Sequence, residues 1–176
     1  MLDGGDCFQA STFDSLHGYY RSALSNLRSA IELVAIGSLG NLATNDRDYL
    51  RWKKQNIGSL PFSSCMRKLR GVTVASVRAT VFKPNGWLEA LYNELCAYVH
   101  SRPNSSDGGM WESNGPIYVG SVFNHVFQLQ ISTYAACYVL TKVGRPDFAL
   151  PKSSEFLFKT PDLLWSEDIV SSYQIA

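Results

Sequence analysis

Cys96 and His100 stand four residues apart at the end of the run E-L-C-A-Y-V-H, just ahead of a loop that opens S-R-P and carries Arg102. An imidazole can move a proton near neutral pH, and a guanidinium beside it can hold a phosphate oxygen. A second pair, Arg28 and Glu32, sits one helical turn apart on an earlier segment. If the two segments pack side by side, these groups could act on a phosphodiester without a metal. His100 would move the proton of a 2′-hydroxyl or leaving oxygen, Arg28 and Arg102 would hold charge on the phosphorus oxygens, and Glu32 and Asn93 would orient them. The plainer reading makes His100 a helix-end residue favoured by the C-terminal dipole, and Arg28–Glu32 a surface ion pair.

The elements that must position these residues are helical. Phe13, Leu16, Tyr20, Leu24, Leu27, Ile31 and Val34 recur at steps of three and four, which predicts one long helix from about Ser11. Ser11 or Thr12 would cap it, Asp14 would favour its first turn, and Gly37 or Gly40 would end it. Short helices are expected over Asp46–Lys54 and, after Pro61, over Phe62–Leu69. The β-branched run Val72–Phe82 reads as an extended connection or irregular helix in preference to an isolated strand. Pro84 introduces the helix that ends at His100, with Leu88, Leu91, Leu95 and Val99 inward and Glu89, Asn93, Cys96 and His100 on another, polar side. A long central helix covers about Tyr118–Lys142, and Pro161 can start a last short one around Asp162–Tyr173. The fold class is therefore all-α: a loose leader (1–10), a single-domain helical bundle (11–144) and an irregular, loop-rich C-terminal extension (145–176).

A chain of 176 residues, 45% hydrophobic, can bury one sizeable core. Its net charge of +1 exerts no overall pull on nucleic acid, yet the charge is unevenly placed. Arg47, Arg51, Lys53, Lys54, Arg67, Lys68, Arg70, Arg78 and Lys83 share their stretch with one acid, Asp48. That predicts a local cationic surface; seven of these residues, Arg47 to Arg70, are the candidate nucleic-acid contacts. The four dispersed cysteines and the lack of a secretory leader pattern suggest reduced thiols and a cytoplasmic protein. No apolar stretch is long enough to suggest a membrane span. Neither G-x-x-x-x-G-K-[ST] nor G-x-G-x-x-G occurs, so no cofactor is expected. Cys96 and His100 could supply half a zinc site, but Cys65, His17, His125 and Cys137 offer no paired spacing for the other half, so no metal is expected either.

The pair of runs Y-Y-R-S-A-L-S-N-L-R-S-A-I-E and L-Y-N-E-L-C-A-Y-V-H resembles HEPN-type proteins, the higher eukaryote and prokaryote nucleotide-binding class, over about the first two-thirds of the chain. The resemblance implies an all-α bundle, often dimeric. Many members are RNases of toxin–antitoxin or antiviral defence systems, and others are non-catalytic. His100 matches the motif histidine. The motif arginine, four to six residues earlier, is not matched, since that window holds Glu94 and Leu95. The resulting expectation is a homodimeric protein that binds or cleaves RNA as a metal-independent endoribonuclease. The alternative is a non-enzymatic helical interaction module of a larger assembly, with Trp52, Phe62, Trp87 or Trp111 anchoring a partner protein.

Overall fold

The computed structural model describes residues 2–99, 117–149 and 164–176, which form eight helices and no strand. They are α1 (Leu2–Leu16), α2 (Tyr20–Leu42), α3 (Arg47–Lys53), α4 (Phe62–Val72), α5 (Ala75–Thr80), α6 (Trp87–Val99), α7 (Gly120–Gly144) and α8 (Ser166–Ile175). The all-α bundle expected from periodicity is the fold. Among the described residues, no helix is long and apolar enough to cross a membrane.

The stripe Leu24, Leu27, Ile31, Ala35 and Leu39 makes α2 the inner helix, each of these side chains being fully buried. Against it lie α1, α4, α6 and α7. Met66 and Leu69 of α4, Leu88, Leu91 and Leu95 of α6, and Val126, Leu129 and Leu140 of α7 complete one continuous core. Five helices thus remove one another's apolar faces from water, at about 25 cal/mol for each Å² covered.

The single N-terminal helix expected from Ser11 is two helices. Gly18 turns the chain at φ +79°, and a side chain there would lie 2.6 Å from the Ile117 carbonyl oxygen, so both the conformation and the space require glycine. Residues 2–10, read as a loose leader, are the first turns of α1. Ser11 is no cap but a fully buried helix residue. Phe13 and Leu16 leave the predicted stripe and stay 60% and 59% exposed. Asp14 instead ties α1 to α2, accepting hydrogen bonds from Ser22 (2.5 Å) and Asn26 (3.0 Å).

Caps place the other helices near their expected bounds. Asp46 Oδ1 accepts from the Asp48 and Tyr49 amides and starts α3. The β-branched run becomes the short α5. The next helix starts at Trp87 instead of Pro84, because Asn85 adopts φ +54° and gives its amide to Glu89 Oε2 at 2.8 Å. In the C-terminal part, residues 166–175 are a packed helix: Ile169 is fully buried, Trp87 Nε1 donates to Ser172 Oγ at 2.9 Å, and Lys142 donates to the Tyr173 carbonyl at 2.8 Å.

Gly37 and Gly40 do not end α2; they lie inside it. Near this end α2 crosses α7 closely. Ser38 Oγ donates to the Leu140 carbonyl at 2.7 Å, and a Cβ on Gly144 would come within 2.8 Å of the Ser38 Cα. Backbone cannot yield as a side-chain tip can, so Gly144→Ala should push the two helices apart. The expected loss is about 1–3 kcal/mol. Urea unfolding should show it as a lower midpoint, and an unchanged midpoint would mean that the crossing tolerates a methyl group.

Candidate functional site

Helix α6 carries polar groups on two sides, and each side is claimed by a different neighbour. Towards α2, Arg28 Nε donates to Glu32 Oε1 at 3.0 Å, and the Tyr92 hydroxyl donates to the same carboxylate oxygen at 2.5 Å. Arg28 Nε also approaches the Tyr92 hydroxyl at 3.4 Å. The Tyr92 ring stacks on Phe62 of α4, with centroids 4.0 Å apart, which fixes the phenol over the pair. Burial, followed by the hydrogen bond to Glu32, pushes the Tyr92 phenol well above its ordinary range, with Arg28 opposing. Desolvation works against the Arg28 charge, but Tyr92 and Glu32 outweigh it and raise the guanidinium. Arg28 and Glu32 are about a quarter exposed. This is a partly buried, charge-assisted cluster, stronger than the isolated surface pair that the i,i+4 spacing alone would imply.

Towards α7, Tyr98 donates to Glu94 Oε1 at 3.0 Å and lies 3.1 Å from His125 Nε2, which is itself 3.5 Å from Glu94. The geometry is satisfied when Nε2 carries a proton. The His125 hydrogen bond holds the Glu94 carboxyl below its usual value, burial opposes, and Tyr98 adds to the lowering. Glu94 therefore has defined structural partners, Tyr98 on its own helix and His125 on α7.

The remaining residues on the predicted polar side of α6 do not converge. Glu89 is bound by Arg70 at 2.9 Å, and the Arg70 Nε donates to the Phe82 carbonyl at 2.7 Å. Asn93 is exposed and forms no hydrogen bond with Arg28 or Glu32, so it does not orient them. Cys96, one turn beyond Tyr92, bears electrostatically on Arg28. His100, Arg102 and Trp111 lie outside the described residues. No group of three His, Cys, Asp or Glu side chains among the described residues could hold a metal ion. Burial pushes the Cys65 thiol up to about 12 and also raises that of Cys137, so neither presents a thiolate.

A third set of residues forms the cationic face. Lys68 of α4 contacts Asp46 at 2.6 Å and Asp48 at 2.8 Å, clamping α4 to the start of α3. The clamp uses both nearby acids, while Arg70 is taken by Glu89. Lys68 and Arg70, expected among the nucleic-acid contacts, are thus engaged inside the protein. Arg47, Arg51 and Lys53 of α3, Lys54 at its C-cap and Arg67 on α4 are exposed and form no ion pair among the described residues, although Arg47 bears electrostatically on the neighbouring Asp48. Of the aromatic anchors considered from the sequence, Phe62 and Trp87 are core residues at 3% and 5% exposure, whereas Trp52 is half-buried beside the cations.

The sequence reading missed Tyr92 and Tyr98, and it weighed His125 only as a zinc ligand. Tyr98 could have been found, since it stands one turn from Glu94. Tyr92 and His125 depend on which helices meet. No family model, no curated protein and no solved structure matches this chain.

Because its carboxyl is depressed in the folded protein, Glu94 contributes stability above the ordinary glutamate value of 4.5, and that contribution disappears as pH falls through the lowered value. Glu94→Gln should be slightly less stable at neutral pH and lose less on acidification across that window. Urea midpoints measured at a series of pH values test this; parallel acid limbs for the two proteins would contradict it.

Proposed function

We propose that this protein binds RNA through the α3–α4 face, as a cytoplasmic, homodimeric protein of the HEPN-like, defence-associated kind. The observation that carries the reading is the apportioning of charge. The acids near this face are bound to Lys68, while five neighbouring cations remain exposed to solvent. Arg47, Arg51 and the C-cap residue Lys54 follow one another at steps of four and three, so they lie along one side of α3 and its end and suit successive phosphates. The resemblance of the α2 and α6 sequences to HEPN-type proteins adds RNA as the polyanion of choice.

Catalysis is the further step of this reading, with His100 as the acid–base residue and Arg102 and Arg28 on the phosphate. Glu32 holds Arg28 in place, and Tyr92 holds Glu32. A protein-interaction module is the second reading. It is favoured by the exposed Phe13, Tyr118 and Phe127 on α1, α7 and the segment leading into α7.

Fluorescence anisotropy with a labelled RNA should show the logarithm of the binding constant falling linearly with the logarithm of salt concentration. The slope is about 0.7 for each phosphate neutralised on a single strand. Lys53→Glu combined with Lys54→Glu should weaken binding at least about tenfold and flatten that slope. Absent or salt-insensitive binding would favour the interaction module. In the same mixtures without metal, shortened RNA is the expected sign of catalysis. His100→Ala should abolish it and leave binding intact; equal cleavage by that variant would remove His100 from the chemistry.

A further inference from the structure

Six large apolar side chains stand exposed where α1 ends, α2 begins and the chain enters α7: Phe13, Leu16, Tyr19, Ile117, Tyr118 and Phe127. Local contacts join them into one strip. Helices α1 and α7 run antiparallel, with Phe8 meeting Tyr134 edge to face at 5.0 Å and Gln130 donating to the Thr12 hydroxyl. A further step of four along both helices sets Leu16 level with Val126 and Phe127. Tyr20 fastens the segment before α7 to this end, its hydroxyl accepting from the Val119 amide at 2.9 Å and donating to the Val119 carbonyl at 3.2 Å. The Tyr118 ring lies 5.5 Å from Phe123, which stacks on Phe127 at 6.2 Å. These apolar groups are therefore held in place by packing while their outer sides face water.

Size and charge say what fits the strip. Its six side chains are 46–62% exposed. At roughly 200 Å² for a large side chain they offer about 600 Å², the most that a typical monomer leaves in one patch. With a rim of bordering polar residues, that approaches the roughly 800 Å² each partner contributes to a stable interface. Residues 117–141 contain no Asp, Glu, Lys or Arg, and residues 9–20 contain only Asp14, which Ser22 and Asn26 hold against α2. A charged surface meets its own charge when it pairs with an identical copy about a two-fold axis, and this strip is spared that repulsion. A helix face that lies on a membrane carries Lys and Arg beside its apolar residues, and neither stretch supplies one.

We propose that the strip formed by the end of α1, the turn at Gly18 and the start of α7 is the surface through which two copies of this chain pair. Phe13, Leu16, Tyr118 and Phe127 make the apolar centre of the interface, with Thr12 and Gln130 on its rim. This inference rests on the homodimer of the reading above and gives it a face. Helix α3 meets α2 at the other end, where Tyr49 lies against Gly40, about 30 Å along the helix from Tyr20. The pairing thus leaves the cations of both copies open to a polyanion.

Sedimentation equilibrium over a range of protein concentrations tests the assignment. The wild type should sediment as a dimer. Leu16→Lys combined with Phe127→Lys sets like charges across the two-fold axis and should raise the dissociation constant at least about a hundredfold. Both positions are exposed, so circular dichroism and the urea midpoint of this variant should stay close to those of the wild type. Tyr118→Ser, outside any helix, should weaken the dimer about tenfold and keeps the test open if the double variant does not fold. Lys53→Glu with Lys54→Glu, at the far end of α2, should leave the dimer unchanged. A wild-type dimer that survives both Leu16→Lys with Phe127→Lys and Tyr118→Ser overturns the strip as the interface and leaves the homodimer standing. A wild type that remains monomeric at its highest soluble concentration overturns both.

Discussion

The close crossing of α2 and α7 is the constraint on which the rest of the bundle depends. A helix pair can approach this nearly only where side chains are absent, and here Gly144 lies against Ser38. The Ser38 hydroxyl joins the helices by donating to the Leu140 carbonyl. With α2 and α7 fixed, α1 packs against both, and α6 also touches both. That double contact explains why α6 needs two unlike polar sides, Tyr92 turned to α2 and Glu94 with Tyr98 turned to α7. The crossing also borders a cleft, since Gly37, Ser38, Thr141 and Arg145 all line it.

Electrostatics then divides the molecule into charges that hold the fold and charges left exposed to solvent. Lys68, Arg70 and Arg28 each meet a carboxylate on another turn or helix, at 2.6–3.0 Å. Such contacts position elements more than they stabilise them, because both partners give up water to form them. The α3 cations have no such duty. Asp46 serves this division twice, capping α3 through Oδ1 and binding Lys68 through Oδ2. One carboxylate thus starts the cationic helix and fastens it to α4.

Much of the fold was legible in the sequence, because local signals and tertiary packing agree there. Asp46, Pro61 and the apolar stripe of α7 mark helices that formed within a few residues of expectation. The N-terminal region was not legible for a specific reason. Leu16 to Tyr20 is a step of four, so the hydrophobic period runs unbroken across a chain reversal that only the φ of Gly18 reveals. The candidate site was legible in part: Arg28 and Glu32 pair as their spacing suggests. Spacing could not supply Tyr92, which arrives from 60 residues away. Nor could spacing tell that Glu89 would be taken by Arg70, or that Asn93 would face solvent. Sharing a side of α6 was not enough to make a site, because the helices packed around it decide where each side chain goes. The cationic stretch could be read as charge. Which cations stay available depended on acids 22 and 19 residues away from Lys68 and Arg70.

The distance along the chain between the two halves of the central crossing bears on how the protein is made. Ser38 and Leu140 are separated by 102 residues, and Tyr20 bonds the Val119 backbone across 99. A ribosome adding about 5–20 residues per second therefore exposes the apolar stripe of α2 for several seconds before α7 exists to cover it. During synthesis α1, tied to α2 through Asp14, is the first element able to shield that stripe, and α4 and α6 follow before α7. The N-terminal hairpin is, in this sense, the nascent chain's own escort until its long-range partner emerges.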